Sequence, residues 1–547
     1  MMVTAAQQGI PFARLYESAS HNLPAVVATT VIHSLALDSR QVQAGSLFFA
    51  LLGTAPNSSD EERRTKATGF IQQALNQGAG LVLSEADPKL LGLDHPHILY
   101  VADLRAQIGG MARRFNQLTR PTATRTRVAA VTGTNGKTTV TRLIAELLTL
   151  AGHPAAVLGT TGNGILPNLV PSTHTTLDAL QLQNKLHDYA LDGAEFACLE
   201  ASSHGLEQNR LTGTPIEVAL FTNLTRDHLD YHGTFEAYAE AKARLFDPHF
   251  FPELKYAIVN GDDAASSVML KPLASDVTVW RYATQSTDAD FYVVKASFSL
   301  KGAHLTIHTP LGEITVQSPL LGRFNVANLL AAIAGALALG LSLAQITAAV
   351  PQLVGAAGRM QLIADDDLLL IVDYAHTPDA ITQVLASLRP HTAGRLTCVV
   401  GCGGDRDRGK RPVMTRAALD GADQVIITAD NPRSETIDAI IADMLADLST
   451  EDRARIIVEP DRRLAIRRAV SQSHRGDAVV IAGKGHENYQ EIAGVRHCLT
   501  MPSSFSKHAQ PYFHYPQQLT HLSSTQHSVP NPITTSAQSS VGRLAKP

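Results

Sequence analysis

At 547 residues, 44% hydrophobic and 18% charged, the chain has material for roughly three to four domains with substantial cores. A formal net charge of −4 gives no electrostatic footprint for nucleic acid or an anionic membrane, and no run reaches the ~18 apolar residues of a membrane span. Cys198, Cys398, Cys402 and Cys498 form no C-x-x-C pair and no zinc spacing, and the start lacks a basic segment followed by an apolar one, so reduced thiols in a cytosol are expected.

The first ~100 residues read as short strands and helices: Ser46 to Leu52, an amphipathic helix over Ala67 to Gln77, and a strand over Gly80 to Ser84. The polar, charge-rich stretch Gly53 to Arg64 between them reads as an exposed loop. Asp38-Ser39-Arg40 could bind a phosphate or uracil, though by composition a solvated turn is the simpler reading.

The next stretch is the richest. Val128 to Val131 is a short apolar run that predicts a buried strand, followed by a turn with Gly133 and Gly136 and apolar residues at helical spacing from Thr138 to Leu150. Strand, glycine turn and helix N-terminus make an anion site, because bare amides and the helix dipole face the bound phosphates. Lys137 would reach the β- and γ-phosphates of a nucleoside triphosphate and the Thr138 hydroxyl would sit on Mg²⁺. Val131 stands where the strict G-x-x-x-x-G-K-[ST] pattern has glycine, so the loop is a variant.

Further strands are expected at Phe196–Leu199, Val218–Phe221 and Ala257–Val259, separated by helical patterns, which argues a parallel α/β sheet with its ligands at the carboxyl ends of the strands. Glu200 ends one strand where a metal-holding carboxylate would stand. Asp227, His228, Asp230 and His232 follow the next, and their oxygen and imidazole donors suit Mg²⁺ or Mn²⁺. Gly322-Arg-Phe-Asn-Val-Ala-Asn328 opens an apolar stretch, Val326 to Leu343, that reads as one packed helix. Val350 to Gly358 reads as a hinge.

Beyond it, buried strands recur before polar turns: Leu368–Val372 before Asp373-Tyr-Ala-His376, Leu396–Val400 before a Gly401–Arg411 turn, Val425–Thr428 before Asp430-Asn-Pro-Arg433, and Ala478–Ala482 before Gly483-Lys-Gly-His-Glu487. This predicts a second doubly wound sheet. No Asp or Glu follows Glu491, and the polar composition of 501–547 predicts disorder, because it buries too little apolar area to offset chain entropy. The expected division is 1–103, 104–357, 358–500 and that tail.

Taken together, Thr132-Gly-Thr-Asn-Gly-Lys-Thr-Thr139, Glu200-Ala-Ser-Ser-His204, Asn223-Leu-Thr-Arg-Asp-His-Leu-Asp-Tyr-His-Gly233, Asp373-Tyr-Ala-His376 and Asp430-Asn-Pro-Arg433 resemble the Mur ligases, the ATP-dependent amino-acid-adding enzymes of peptidoglycan synthesis. The resemblance spans about Asp38 to Gln490 and is nearest the branch that adds meso-diaminopimelate to UDP-N-acetylmuramoyl-L-alanyl-D-glutamate. It implies an N-terminal UDP-sugar-binding α/β domain, a central ATPase with a parallel sheet and a C-terminal Rossmann-like domain for the amino acid, working as a cytoplasmic monomer through an acyl phosphate.

Residue by residue, the resemblance implies catalytic roles for Lys137, His228 and Lys242, the last as a carbamate. It implies ATP contacts from Gly133, Thr134, Asn135, Gly136, Lys137, Thr138, Thr139, Asn325, Arg359, Asp373 and His376. Mg²⁺, two ions by the family pattern, would take Thr138, Glu200, His228 and the Lys242 carbamate. The UDP-linked dipeptide would meet Ser39, Thr175, Thr176, Ser202, Gln208 and Arg210. Diaminopimelate would meet Arg406, Asp430, Asn431, Pro432, Arg433, Gly483 and Glu487, with the planar Arg433 guanidinium matched to its distal carboxylate.

Three positions depart from the family. Thr54 to Arg64 does not match the usual stretch, Leu177 replaces a proline, and after Tyr489-Gln490 the family's Asp-Arg motif and closing helix give way to Val495–Pro502 and the acid-free tail. A lysine-adding relative, a folylpolyglutamate synthetase and an ATP-binding protein without turnover are the alternatives.

Overall fold

A computed structural model of the protein describes residues 9–16, 23–54, 58–122, 125–172, 174–364, 368–446, 448–487 and 489–499, all of which fall in one compact unit. The disorder expected of 501–547 lies outside the described residues.

The N-terminal part is built on four parallel strands, Ser34–Ala36, Ser46–Ala50, Leu81–Ser84 and Ile98–Tyr100. The stretch expected to loop from Gly53 to Arg64 is in part helical, because the helix runs Asp60–Asn76. Ser59 and Glu62 form a reciprocal cap there: Ser59 Oγ accepts from the Glu62 amide at 3.2 Å and Glu62 Oε2 from the Ser59 amide at 3.1 Å. Asp60, Glu61 and Glu62 then sit on the positive end of the helix dipole. Polar residues that read as loop are thus the helix's start signal, and its buried face is a thin stripe of Ala67, Ile71 and Ala74.

The central sheet has ten strands. Seven of them, in the spatial order Ala155–Gly159, Phe196–Glu200, Arg127–Thr132, Ile216–Phe221, Tyr256–Asn260, Thr278–Ala283 and Phe291–Ser299, are mutually parallel. The parallel expectation describes this middle of the sheet but not its edges. Gly162–Ile165 returns antiparallel at one side, and Gly302–Thr309 and Gly312–Ser318 form an antiparallel meander at the other. Burial explains the difference: Ile216–Phe221 is buried at every position, whereas Gly312–Ser318 alternates, as a sheet with one wet face does.

The apolar stretch from Val326 is two helices, Phe324–Ala338 and Leu343–Ala349. Gly340 between them takes φ +101°, and Ser342 with Gln345 caps the second start. The first of these helices shares a core with Lys137–Leu150 under the sheet.

The third sheet orders its strands Gln361–Ala364, Leu369–Val372, Ala478–Ile481, Leu396–Val400, Gln424–Ile427 and Ile456–Val458, all parallel except the first. Helices Pro378–Leu388, Lys410–Gly421 and Ile437–Met444 share the core of one face, and Arg462–Ser471 covers the other, a doubly wound arrangement. Arg411 braces the turn after Leu396–Val400. Its side chain is 1% exposed and donates to Glu435 at 2.6 and 2.9 Å, to Asp443 at 2.8 Å and to the Gly403 carbonyl at 3.3 Å. Arg411→Ala removes these bonds but leaves Asp443 paired with Arg408 and Glu435 accepting from the Asp405 amide, and is expected to cost about 2 kcal/mol, read as a lowered denaturant midpoint with an unchanged m-value.

Cys198, Cys398 and Cys402 are buried free thiols, and Cys498 is exposed. Among the described residues no helix is long and apolar enough to cross a membrane.

Candidate functional site

The strand Arg127–Thr132 ends in a turn that only glycine fits at two points. Gly133 has φ +145° and Gly136 φ +86°. A Cβ on Gly133 would lie 1.9 Å from Thr222 Oγ1, and one on Gly136 2.6 Å from Asn328 Oδ1. The helix then opens at Lys137. Lys137 Nζ folds back on the turn, donating to the carbonyls of Gly133 at 2.8 Å and Thr134 at 2.9 Å. Thr138 Oγ1 donates to Glu200 Oε2 at 2.9 Å, and Glu200 Oε1 accepts from the Thr160 amide at 2.7 Å.

This pair fits a hard divalent cation. Two oxygens bound at right angles to Mg²⁺, each at about 2.1 Å, stand about 3.0 Å apart, and the Thr138 and Glu200 oxygens are already spaced at 2.9 Å.

Lys242 is buried and donates its Nζ to the Gly133 carbonyl at 2.7 Å, 4.4 Å from the centre of the Tyr238 ring. Burial, helped by the charge of Lys137, holds its pKa well below the usual lysine range, so a neutral amine is accessible. His228 takes φ +56° at the start of the short helix Leu229–His232. Burial keeps its imidazole neutral. Beside it, the Asp227 carboxyl is held below the usual carboxylate range despite burial, with the Lys410 ammonium at 3.6 Å and the His228 backbone amide donating to it.

The expected cluster of Asp227, His228, Asp230 and His232 does not converge on one point. His232 bonds Ser203 Oγ at 2.9 Å and lies 3.3 Å from Glu207, while Asp230 lies 4.0 Å from Arg406. Among the described residues no three His, Cys, Asp or Glu side chains are grouped to hold a metal. Spacing in sequence put these residues in one loop; competing local partners turn them apart.

A cleft of about 280 Å³ joins this loop to the third sheet. Its walls carry Thr134, Asn135, Gly136, Lys137, Thr138, Thr175, Glu200, Ser202, His228 and Lys242 on one side. On the other stand Arg359, His376, Arg406, Asp430, Asn431, Arg433, Gly483 and Glu487. Arg359 crosses the gap to Thr138 Oγ1 at 3.3 Å and stacks over Tyr374 at 4.5 Å. Its Nε is buried without a hydrogen-bond partner among the described residues, a donor waiting for an anion.

Other expected residues lie off this wall. Thr176 ties its turn together, donating to the Glu200 carbonyl at 2.7 Å and accepting from the Ser202 amide at 3.0 Å. Gln208 and Arg210 line a second cavity of about 260 Å³ with Arg105 and, from the N-terminal part, Leu37 and Leu51. The buried Ser39 hydroxyl points inward to Gln73 Oε1 at 2.8 Å. Asn325 is engaged with Leu321 and Asn328. Asp373 accepts the Met360 amide at 2.6 Å, and burial raises its pKa. Gly133, Thr139 and Pro432 are not among the residues that line the cleft.

On the far wall, Arg433 has φ +52° and donates Nη1 to the Gly404 carbonyl at 2.7 Å. Asn431 and Glu487 are joined by Lys484, whose Nζ donates to Asn431 Oδ1 and Glu487 Oε2, each at 2.8 Å. Tyr374 holds the other Glu487 oxygen at 3.1 Å. Lys484, Lys410 and Tyr374 were not among the expected site residues. Their signal was present: Gly409-Lys410 and Gly483-Lys484-Gly485 both place a lysine beside glycine in a polar turn after a buried strand, as Gly136-Lys137 does.

An anion-binding turn, a hard-cation pair and a second wall of cations facing them define a phosphate-loop enzyme whose second doubly wound domain closes the site. Residues 131–336 match the Mur ligase middle domain and 358–485 the "Mur ligase, glutamate ligase domain". The UDP-N-acetylmuramoyl-L-alanyl-D-glutamate–2,6-diaminopimelate ligase of Vibrio cholerae is 43% identical over 478 residues, covering 85% of this chain and 92% of that protein. The ligase of the same name from Pseudomonas aeruginosa is 43% identical over 471 residues, covering 85% and 93%. A solved structure bearing that name superposes with a TM-score of 0.66 at 48% identity, covering 90% of this chain and 97% of that one. The chain belongs to the Mur ligase family.

Proposed function

We propose that this chain joins meso-diaminopimelate to UDP-N-acetylmuramoyl-L-alanyl-D-glutamate at the expense of ATP, in peptidoglycan synthesis. What carries the reading is that one cleft holds the phosphate loop, with Lys137 and Glu200, opposite Arg433, Asn431 and Glu487. Names of relatives 43% identical along nearly their whole length support the same choice.

In this reading residues 1–103 bind the UDP-sugar, 104–357 bind ATP and 358–500 bind the amino acid. Gln208 and Arg210, in the cavity shared with the N-terminal part, lead the dipeptide toward Thr175 and Ser202. The glutamyl γ-carboxylate oxygen attacks the γ-phosphorus, and the bond to the ADP oxygen breaks. The diaminopimelate amine then attacks the acyl carbon; its C–O bond breaks, inorganic phosphate leaves with that oxygen, and the amine's proton is lost. The protein supplies little covalent chemistry: it positions the reactants and neutralises charge. Lys137 and Arg359 meet the phosphates, Asn325 the adenine, and Arg433 the distal carboxylate of the amine donor.

Thr138 and Glu200 would hold one Mg²⁺, and His228 with a carbamate of Lys242 a second. The ions would supply neutralisation of phosphate charge when bound. The cytoplasm and a monomer fit this reading, as does a role in cell shape and division.

With ¹⁸O in the glutamyl γ-carboxylate, one label is expected in the released phosphate, and its absence would remove the acyl phosphate. Lys242→Ala is expected to lower kcat about 10³-fold. ¹³C-bicarbonate should give a carbamate resonance in the wild type that this variant lacks.

A further inference from the structure

The strands Tyr489–Ile492 and Val495–Cys498 pair as an antiparallel hairpin just beyond the last matched family residue, 485. The hairpin lies along the Asp430–Arg433 turn and binds it at every residue but Pro432. Gln490 Nε2 donates to the Asp430 carbonyl at 2.6 Å, and the Glu491 amide donates to Asn431 Oδ1 at 2.8 Å. The Arg433 amide donates to the Glu491 carbonyl at 3.2 Å, and the Ala493 amide donates to the Arg433 carbonyl at 2.8 Å. Arg433 and Ile492 form a parallel bridge.

Arg433 needs that support. At φ +52° it sits in the left-handed region, which non-glycine residues adopt uncommonly and at a cost in strain. Both of its backbone hydrogen bonds named above run to the hairpin. Rotation at this residue would swing the guanidinium away from the Gly404 carbonyl and the cleft. Asn431 is held in the same way: its Oδ1 accepts from the hairpin amide and from Lys484, and its Nδ2 donates to Glu487 at 3.2 Å. Lys484 in turn lies 5.3 Å from the centre of the hairpin's Tyr489 ring.

We propose that this hairpin is a clamp for amino-acid selection: it fixes the backbone of Arg433 and the amide of Asn431, with Gln490 as a positioning residue that touches no substrate. The clamp rests on the functional reading above and deepens it, moving part of the choice between diaminopimelate and a mono-carboxylate diamine to a side chain outside the cleft.

The test uses the full chain and its Gln490→Ala and Gln490→Glu variants. Initial rates are measured with meso-diaminopimelate and with L-lysine, together with the KM for ATP and the thermal midpoint. Gln490→Ala is expected to raise the diaminopimelate KM about tenfold, the loss of one positioning hydrogen bond. The diaminopimelate-to-lysine ratio of kcat/KM should fall by a similar factor, with the ATP KM and the midpoint near wild type. Gln490→Glu, of similar size but without the donor, should behave alike. Wild-type diaminopimelate KM and selectivity in both variants would overturn the clamp, as would a uniform rise in every KM with a falling midpoint, which marks a merely structural brace. A wild-type chain that does not use diaminopimelate would overturn the functional reading and the clamp with it.

Discussion

Lys137→Ala is expected to lower kcat about 10³-fold, the effect of removing one preorganised charge from a water-poor phosphate site, while leaving the protein folded. Among the described residues Lys137 Nζ bonds only carbonyls of its own turn, Gly133 and Thr134. Gly133 keeps a second donor in Lys242 at 2.7 Å, so the turn does not depend on Lys137 for its shape. The side chain is therefore free to leave these carbonyls for the phosphates, and its loss is felt where negative charge moves from the β–γ bridge to ADP. ADP release under saturating substrates checks the rate, and a thermal midpoint checks the fold. A kcat within tenfold of wild type would remove Lys137 from phosphoryl transfer.

Arg433→Ala is expected to raise the diaminopimelate KM about 100-fold or more, the scale of truncating one partner of a buried, charge-assisted pair. The ATP KM should stay within about twofold, because Arg433 stands on the opposite wall from the phosphate loop. One of the five guanidinium N–H donors is committed to the Gly404 carbonyl, which aims the remainder into the cleft. Lysine has no distal carboxylate, so its poor turnover should change little and the preference for diaminopimelate should collapse. Arg433→Lys keeps the charge but loses the planar fork, and an intermediate KM is expected. Steady-state kinetics on both amines reads all of these.

The phosphate loop was legible because its chemistry is local: a buried strand, two glycines that no other residue can replace and a Lys-Thr pair lie within a dozen residues. The strand-end turns were legible for the same reason, since fully buried β-branched runs before Gly401, Asp430 and Gly483 place them at one edge of a parallel sheet. What failed was long-range or reciprocal. The helix read from Ala67 begins at Asp60, a start hidden by its acidic first turn. The Phe291–Ser318 meander was hidden by the half-exposed alternation of its strands. The loop Asp227–His232 holds metal-type donors in sequence, yet Ser203, Glu207, Arg406 and Lys410 from other segments each claim one of them. Ser39 and Thr176 likewise spend their hydroxyls on neighbours that no local pattern names.

The hairpin Tyr489–Cys498 follows directly on the residues that match the family, 358–485. Its first strand is where the Asp430–Arg433 turn is anchored, so the part of the C-terminus nearest the site is built and paired.

The most direct test of the assignment is phosphate release from ATP and UDP-N-acetylmuramoyl-L-alanyl-D-glutamate, compared with meso-diaminopimelate, with L-lysine and with no amine. Release that depends on both the UDP-dipeptide and diaminopimelate, with a UDP-tripeptide formed in equal amount and lysine near the no-amine background, is the predicted result. Equal or greater turnover with lysine, or no turnover with either amine, would contradict it.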